Sequence, residues 1–247
     1  MEKSDFIILD GTRHPRHQYP DLFVSIHRLG YDSEVEEAAK RLNLSLGNTA
    51  KEHDGTGYIG NINHEQALNI NTAIGGFTLP LLYFADMLYQ LIETIKRKRD
   101  TYNGNGNTIH PRILEDMFDE ITEERIPWRG EHLDAEFGEN TITYHKFVGG
   151  KFIKVTEKLE DCLMRDKAID LKGWIGNPTS QGLPRKNCKA GGLNYWCPVE
   201  GRVARFVAGS GRADLDCDWN PQNSFAELGV RYSVSAEDAQ KLQQNSK

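Results

Sequence analysis

The strongest pattern of apolar and polar residues spans residues 63–99 and predicts two consecutive helices. The first helix carries its apolar residues on one side and ends at a glycine pair, Gly75-Gly76. Thr78 is suited to cap the second helix, and Pro80 to its first turn. The core-facing positions of the second helix are Leu81, Leu82, Phe84, Ala85, Leu88, Leu91, Ile92 and Ile95. We expect it to be the longest helix of the chain and the centre of the core.

Shorter patterns predict the elements on the N-terminal side of these helices. Residues 6–9 and 22–29 are apolar enough for strands. Residues 32–44 predict an amphipathic helix with acidic residues in its first turn. Residues 47–60 are polar and contain several glycines, so we expect a loop there.

The C-terminal half reads as a weaker helix followed by strands. Residues 113–124 predict a helix with an acidic surface. Residues 141–147 and 151–155 alternate apolar and polar positions and are joined through a glycine pair, which indicates a β-hairpin. The last third is rich in loops and leaves room only for short strands, such as residues 202–207 and 229–234.

These elements place the chain in the α+β class. The sequence has no internal repeat and no abrupt change in composition, so we expect one compact domain. We assign residues 1–60 to an N-terminal extension packed on that domain and residues 61–235 to the domain itself. Residues 236–247 are polar and are expected to form a flexible tail.

Composition narrows the classes of function. The 247 residues are 38% hydrophobic and carry a formal net charge of −6. An acidic chain argues against a general nucleic-acid binder, which needs a basic face for the phosphates. The N-terminus lacks the apolar core of a signal peptide, and no stretch approaches the roughly 18 apolar residues of a membrane span. We therefore expect a soluble protein with no signal peptide and no membrane span. Association with a virion or cell surface remains open.

No pattern for catalysis or metal binding emerges. The four cysteines lie apart without a metal-site spacing, so free thiols are expected, with a bridge between Cys197 and Cys217 as the alternative. The eight histidines are scattered and lack partners at ligand spacing. Nucleotide-binding and hydrolase motifs are absent. We expect no enzyme activity, no metal and no cofactor.

Residues 191–233 mix two kinds of position. One kind suits a rigid frame of glycine, tryptophan and arginine, including Gly192, Trp196, Trp219 and Arg231. The other kind shares no chemistry and is predicted to form a ligand-binding surface: Tyr195, Cys197, Val199, Phe206, Ala208, Ser210, Asp214, Asp216 and Asp218. A recognition surface needs only a frame that tolerates what is displayed on it. Among the aromatic residues, we expect Tyr195 and Phe206 on the surface and both tryptophans in the frame.

Charged residues in this segment leave alternatives open. As a strand, Asp214, Asp216 and Asp218 would place three carboxylates on one face; as a loop, they could bind calcium. A solvated acidic edge, a ligand-facing display and a calcium site all remain open. The arginines that alternate with apolar neighbours are expected to pair with acids or loop carbonyls: Arg202, Arg205 and Arg231.

The order of these elements resembles a known family. A helix, the motif Gly-Gly-x-x-Leu-Pro, a second helix, long loops and a final strand with Gly-x-Arg fall at residues 67–74, 75–80 and 228–231. In this the chain resembles the C-type lectin fold and, within it, the formylglycine-generating-enzyme subgroup. Its C-terminal segment is similar to the variable region of diversity-generating-retroelement target proteins. The matching residues are Gly191-Gly192, Gly201-Arg202-Val203-Ala204, Asn220-Pro221-Gln222-Asn223 and Leu228-Gly229-Val230-Arg231.

The resemblance implies a C-type lectin fold over residues 61–235, with two helices packed on short antiparallel strands and long loops. It also implies a protein that binds a macromolecular ligand, a protein or glycan on a cell or virion surface, through a diversified segment at residues 191–233. In that family, template adenines are copied with errors, so asparagine codons scatter to other residues. All nine predicted display residues are reachable in this way, whereas Trp196 and Trp219 are not. Ala190 departs from the family, which has arginine there.

Two other functions remain as alternatives. A fixed structural or adhesion component of a virion or cell envelope would use the same fold without diversification. An oxidase of the formylglycine-generating type would need a copper-binding cysteine pair. Cys197 and Cys217 are the only late pair, and they lack that family's flanking motif. The display interpretation predicts that Gly192, Trp196 and Arg231 matter for stability, whereas the display positions are replaceable.

Overall fold

The computed structural model describes residues 2–46 and 57–239 and has α+β architecture. Its helices are α1 (Ser33–Arg41), α2 (His64–Ala73), α3 (Leu81–Ile95), α4 (Pro111–Thr122) and α5 (Leu171–Ile175), with a 3-10 turn at Lys3–Asp5. Its strands are β1 (Phe6–Leu9), β2 (Leu22–Ser25), β3 (Arg129–Gly138), β4 (Thr141–Val148), β5 (Lys151–Lys158), β6 (Lys167–Ile169), β7 (Leu193–Trp196), β8 (Arg202–Ala208), β9 (Ala213–Trp219), β10 (Leu228–Gly229) and β11 (Ser233–Ser235). Most of the predicted loop at residues 47–60 and of the predicted tail lies outside the described residues.

Two sheets organise the strands. The large sheet has the order β5-β4-β3-β8-β9-β7-β6, with β10 paired in parallel to β3. Neighbouring strands along this order are antiparallel, except that β7 and β9 run parallel to each other. The small sheet has the order β1-β2-β11 and pairs the first strands of the chain with the last. The large sheet is more extensive than the short strands expected from sequence, because β6, β7 and β9 form within the loop-rich last third.

The two helices predicted over residues 63–99 are confirmed as α2 and α3. The Asn63 side chain accepts a hydrogen bond from the Gln66 amide, and the Gln66 side chain accepts one from the Asn63 amide, so α2 begins with a capping box. α3 is the longest helix described, and Phe84, Leu88 and Leu91 on its apolar side are fully buried. This helix packs in the main core against the large sheet.

The predicted hairpin is also confirmed. β4 and β5 pair in register from Thr141 opposite Lys158 to Val148 opposite Lys151. The turn between them is Gly149-Gly150, whose φ angles are 58° and 89°. Because residues with a side chain rarely adopt such φ values, the turn favours glycine at both positions.

A buried arginine ties the two ends of the chain together. Arg231 is 1% exposed and donates from Nε to the Glu131 carboxylate at 3.1 Å. It also donates to the backbone carbonyls of Ser25, the last residue of β2, and of Ile26. Attraction to Glu131 and Glu120 outweighs the effect of burial and raises the Arg231 pKa. The prediction that Arg231 binds acids and loop carbonyls is therefore confirmed.

In the part of the chain that the structure describes, no helix has both the length and the apolar character that a membrane crossing requires.

Candidate ligand-binding surface

Strands β7, β9 and β8 lie side by side, and their residues alternate between two faces of the large sheet. One face contributes to the main core through Leu193, Tyr195, Ala204, Phe206, Leu215 and Cys217. We call the opposite side the outer face: Asn194, Trp196, Arg205, Val207, Asp214, Asp216 and Asp218. The same short segment therefore supplies both core packing and an external surface.

Pairs of polar residues on neighbouring strands hold the outer face in place. Arg205 lies opposite Asp216 and donates from Nε to Oδ2 at 2.7 Å. Asn194 lies opposite Asp214 and donates from Nδ2 to Oδ1 at 2.7 Å. Such cross-strand pairs stabilise a sheet and fix the orientation of its side chains.

Two tryptophans flank the Arg205 guanidinium. Its central carbon lies 3.2 Å from the Trp219 ring centroid and 5.4 Å from the Trp128 ring centroid. These contacts, together with the pairing to Asp216, leave the Arg205 side chain 13% exposed. Burial lowers the pKa of Arg205, and burial raises the pKa of Asp216 to about 6 although Arg205 opposes that shift. Arg205 and Asp216 thus form a partly desolvated ion pair on the outer face.

An open cavity of about 660 Å³ lies beside this pair. The polar and aromatic side chains that line it include Trp128, Asn194, Arg205, Ser210, Arg212 and Asp214. Ile126, on its rim, is 85% exposed. The cavity combines an aromatic ring, two guanidinium groups and several hydrogen-bonding groups, which is a suitable surface for binding a polar ligand by complementarity.

The predicted surface location is wrong for Tyr195, Phe206, Ala208 and Asp216, all of which are buried. Tyr195 points into the core and donates its hydroxyl hydrogen bond to the Leu163 carbonyl at 2.9 Å. Phe206 packs against the rings of Phe84 and Trp174.

The other two buried positions have different reasons. Ala208 lies at the end of β8 between two neighbouring strands, opposite Arg129 of β3 and Ala213 of β9. Asp216 lies on the outer face, but its partner Arg205 shields it from solvent. Burial at all four positions restricts which residues can replace them.

The remaining five predicted residues lie at or near the surface. Val199 is 45% exposed and Ser210 is exposed, while Cys197, Asp214 and Asp218 are partly buried. Of these, Ser210 and Asp214 line the cavity. Cys197 and Val199 lie after β7, where the Cys197 amide donates to the Asp166 carboxylate at 3.0 Å.

The prediction that Trp196 belongs to the frame is also wrong. This side chain is 42% exposed because it occupies an outer-face position of β7. Trp219 is partly buried and packs against Arg205 and Phe225. The sequence-based assignment divided the aromatic residues by type, with both tryptophans in the frame, whereas strand alternation determines the side on which Trp196 lies.

The three aspartates of β9 occur on one face, as the strand alternative predicted. Alternate residues of a strand are about 6.6 Å apart, which separates their carboxylates. Among the described residues, these three do not form a group whose ligand atoms all lie within 4.8 Å of one another. Asp214 and Asp216 instead accept hydrogen bonds from Asn194 and Arg205.

The cysteines are free thiols. Cys217 is fully buried on the core face of β9, and Cys197 is partly buried. Burial raises the pKa of Cys197 to about 11 and that of Cys217 well above its ordinary value. A reactive or metal-binding thiol needs the opposite shift, toward the thiolate.

Sequence reasoning missed several residues that build this surface. Asn194, Trp128 and Arg212 were not proposed as surface residues, although each lines the cavity. Alternation with the buried positions of β7 identifies Asn194 once the strand is known. The sequence-based search also missed a group that could bind a metal, which lies away from this surface: His14, His17 and Asp86.

Comparison with models of known protein families, with curated proteins and with solved structures finds no match to this chain.

Proposed function

We propose that this protein binds a macromolecular ligand or receptor through the outer face of β7, β9 and β8 and the cavity beside it. We further propose that it is a diversity-generating-retroelement target protein with a C-type lectin scaffold, as its sequence motifs imply. No chemistry is performed on the ligand. Recognition rests on shape, hydrogen bonds and a few anchor side chains.

One observation carries this proposal: the division of roles within residues 191–233. The core face holds apolar and fully packed side chains, whereas the outer face and its connections also hold exposed and partly exposed residues of unrelated chemistry. A segment selected for catalysis would converge its polar groups on one reacting centre. Here they spread over an open surface around a cavity of about 660 Å³.

The scaffold assignment draws support from the placement of its motifs. Gly75-Gly76 separates α2 from α3, and an ideal Cβ at Gly76 would approach the Ser233 carbonyl to 2.5 Å. The last strand pairs with β2, so both ends of the chain meet in one small sheet. Arg231, from the final motif, anchors that junction.

Burial revises which positions we propose as displayed. They are the exposed or partly exposed residues around the outer face: Asn194, Cys197, Val199, Ser210, Arg212, Asp214 and Asp218. Trp196 adds an exposed aromatic anchor to the same surface. Tryptophan and arginine are enriched among residues that dominate binding energy, which suits a protein or glycan partner.

The DNA that flanks the coding region gives a direct test. We expect a reverse-transcriptase gene and a second, near-identical copy of the sequence encoding residues 191–233. The differences should fall at adenines of the second copy and affect codons of displayed residues that are no longer asparagine, such as Ser210, Asp214 and Asp218. Codons of Phe206 and Leu215, which face the core, should match between the copies.

Two results would count against the proposal. A single copy without a neighbouring reverse transcriptase would favour a fixed structural or adhesion component instead. Differences spread evenly over core and outer-face codons would contradict the assignment of roles to the two faces. An oxidase function would appear as stoichiometric copper binding with thiol-dependent oxygen uptake, which the raised pKa of Cys197 disfavours.

A further inference from the structure

A row of buried polar residues runs along α3 beneath the loop that joins β1 to β2. Asp86, Gln90 and Thr94 follow one another at intervals of four residues, and each is at most 3% exposed. Gln90 accepts a hydrogen bond from the Asp10 amide at 3.0 Å, and Thr94 accepts one from the Arg13 guanidinium at 2.8 Å. Two of the three positions thus hold the loop through ordinary hydrogen bonds.

The third position differs, because Asp86 faces two histidines. His17 Nδ1 lies 3.1 Å from both carboxylate oxygens of Asp86. The His14 ring stacks on the His17 ring with centroids 4.3 Å apart. One nitrogen of each histidine and one Asp86 oxygen all lie within 4.8 Å of one another. Within the described residues, no lysine or arginine forms an ion pair with Asp86.

His14 is incompletely satisfied where it lies. The residue is 3% exposed, and its Nε2 has no hydrogen-bond partner. Its Nδ1 accepts a hydrogen bond from the Arg16 amide at 3.2 Å. A buried imidazole nitrogen without a hydrogen-bond partner is available as a metal ligand.

We propose that His14, His17 and Asp86 bind one divalent transition-metal ion of the zinc class. Two imidazoles and one carboxylate are a ligand set that zinc accepts, with water in the fourth position. Bonds of zinc length separate neighbouring ligand atoms by about 3.3 Å, which is close to the present distance between His17 and Asp86. The His14 ring has to move inward. If it binds through Nε2, its proton moves to Nδ1 and the Arg16 contact is lost. His17 would bind through Nδ1, so the proton that this nitrogen donates to Asp86 moves to Nε2.

The metal would join the loop to α3. His14 and His17 come from the sequence His-Pro-Arg-His, and Asp86 lies in α3, so the ion links segments that are far apart in sequence. The Arg16 side chain, which comes directly before His17 in the sequence, donates to Asn177. Its charge is therefore paired with a neutral group and not with Asp86.

Zinc binding by untagged, chelator-treated protein tests this inference. Isothermal titration with Zn²⁺ should give one ion per chain, and excess Ca²⁺ should not compete, because imidazole ligands select against hard cations. H14A and D86N should each weaken binding at least about tenfold. H27Q is the matched control, because His27 is exposed and lies outside the group, and it should bind zinc like the natural sequence.

A measurement on the natural sequence covers the case in which a variant fails to fold. Ring ¹⁵N spectra resolve the eight histidines of the chain, and zinc should shift two of them strongly. The histidine whose signals are missing from the H27Q spectrum should not be one of these two histidines. Absence of stoichiometric zinc binding would overturn the proposal. Zinc binding that leaves the chemical shifts of all histidine ring nitrogens unchanged would overturn it as well. So would equal affinities for the natural sequence and D86N.

Discussion

Arg231 and Arg205 belong to the same C-terminal segment and both pair with a carboxylate, yet they lie in opposite environments. Arg231 is 1% exposed and binds Glu131 together with two backbone carbonyls. The Arg205 side chain is 13% exposed, pairs with Asp216 and stacks on Trp219 beside an open cavity. The pKa of Arg231 is raised by its acidic neighbours, whereas burial lowers that of Arg205.

Arg231 is therefore an internal anchor, whereas Arg205 supports an exposed surface. Arg231 satisfies groups that would otherwise be buried without partners, so its loss leaves them uncompensated. Arg205 has one charged partner and lies next to solvent, so its surroundings can adjust more easily. Sequence spacing assigned the two arginines the same role, and only the three-dimensional environment distinguishes them.

The largest effect is expected for Arg231→Met. The substitution leaves Glu131 and the carbonyls of Ser25 and Ile26 without their donor in the core. We expect a loss of about 3–5 kcal/mol in the free energy of unfolding, measured by urea denaturation. Arg231→Lys should recover only part of this loss, because an ammonium group cannot reproduce the planar fork of the guanidinium.

Arg202→Met is the matched control for that experiment. Arg202 lies in β8 of the same segment and is partly exposed. Its substitution should change the free energy of unfolding by less than about 1 kcal/mol. A loss at Arg202 equal to that at Arg231 would remove the distinction between an anchor and an ordinary strand residue.

The adjacent glycines Gly191 and Gly192 repeat the contrast on a smaller scale. An ideal Cβ at Gly191 would lie 2.4 Å from the Asp170 Cα, whereas one at Gly192 would meet nothing within 4 Å. We expect G191A to lower the free energy of unfolding by about 1–3 kcal/mol through this clash. G192A should stay within about 0.5 kcal/mol of the natural sequence. The prediction from sequence that Gly192 is essential to the frame is therefore corrected in favour of its neighbour.

Local patterns predicted the parts of the fold that depend on neighbouring residues. The apolar spacing of α3 and the alternation around Gly149-Gly150 both identified their elements. Such patterns do not determine the buried face of a strand that carries a large aromatic residue on each face, as β7 does. Tyr195 and Trp196 are adjacent in β7, and their burial is opposite to the sequence-based assignment because the face of β7 that meets the core is set by its partners in the sheet.

The polar group on α3 could have been found only in part. Asp86 interrupts an apolar helix, and this is a signal that sequence reasoning overlooked. Its partners His14 and His17 lie about 70 residues earlier, on a loop whose position depends on how the small sheet packs. Only the folded chain brings the three residues together.

The pH dependence of stability should distinguish the Arg205–Asp216 pair from an exposed salt bridge. The pKa of Asp216 is raised to about 6 from 3.8, so the folded state holds its proton more tightly than the unfolded state. Its stabilising contribution is present below pH 3.8 and is lost as the pH rises through about 6. The decrease should be on the order of 2 kcal/mol relative to D216N, which cannot titrate.

Urea denaturation of both proteins between pH 4 and 7 measures that difference. D214N serves as a second variant: because the Asp214 carboxylate contributes to the raised pKa of Asp216, this change should reduce the slope without abolishing it. A slope that persists in D216N would assign the effect to another group. If stability instead rises as Asp216 ionises, the attraction of Arg205 has a larger effect on the Asp216 pKa than burial has.

The smallest effect on stability is expected at the exposed positions around the outer face. Val199, Ser210 and Arg212 are exposed, and their side chains contribute little to the core. Replacing all three with alanine should change the free energy of unfolding by about 1 kcal/mol or less, because exposed substitutions are usually near neutral and these act independently of the core. Phe206→Ala, in a strand of the same segment, should lose about 3–5 kcal/mol because it opens a cavity beside Phe84 and Trp174. A triple variant as unstable as this control would show that the outer surface is framework, and the proposed display positions would then not be replaceable.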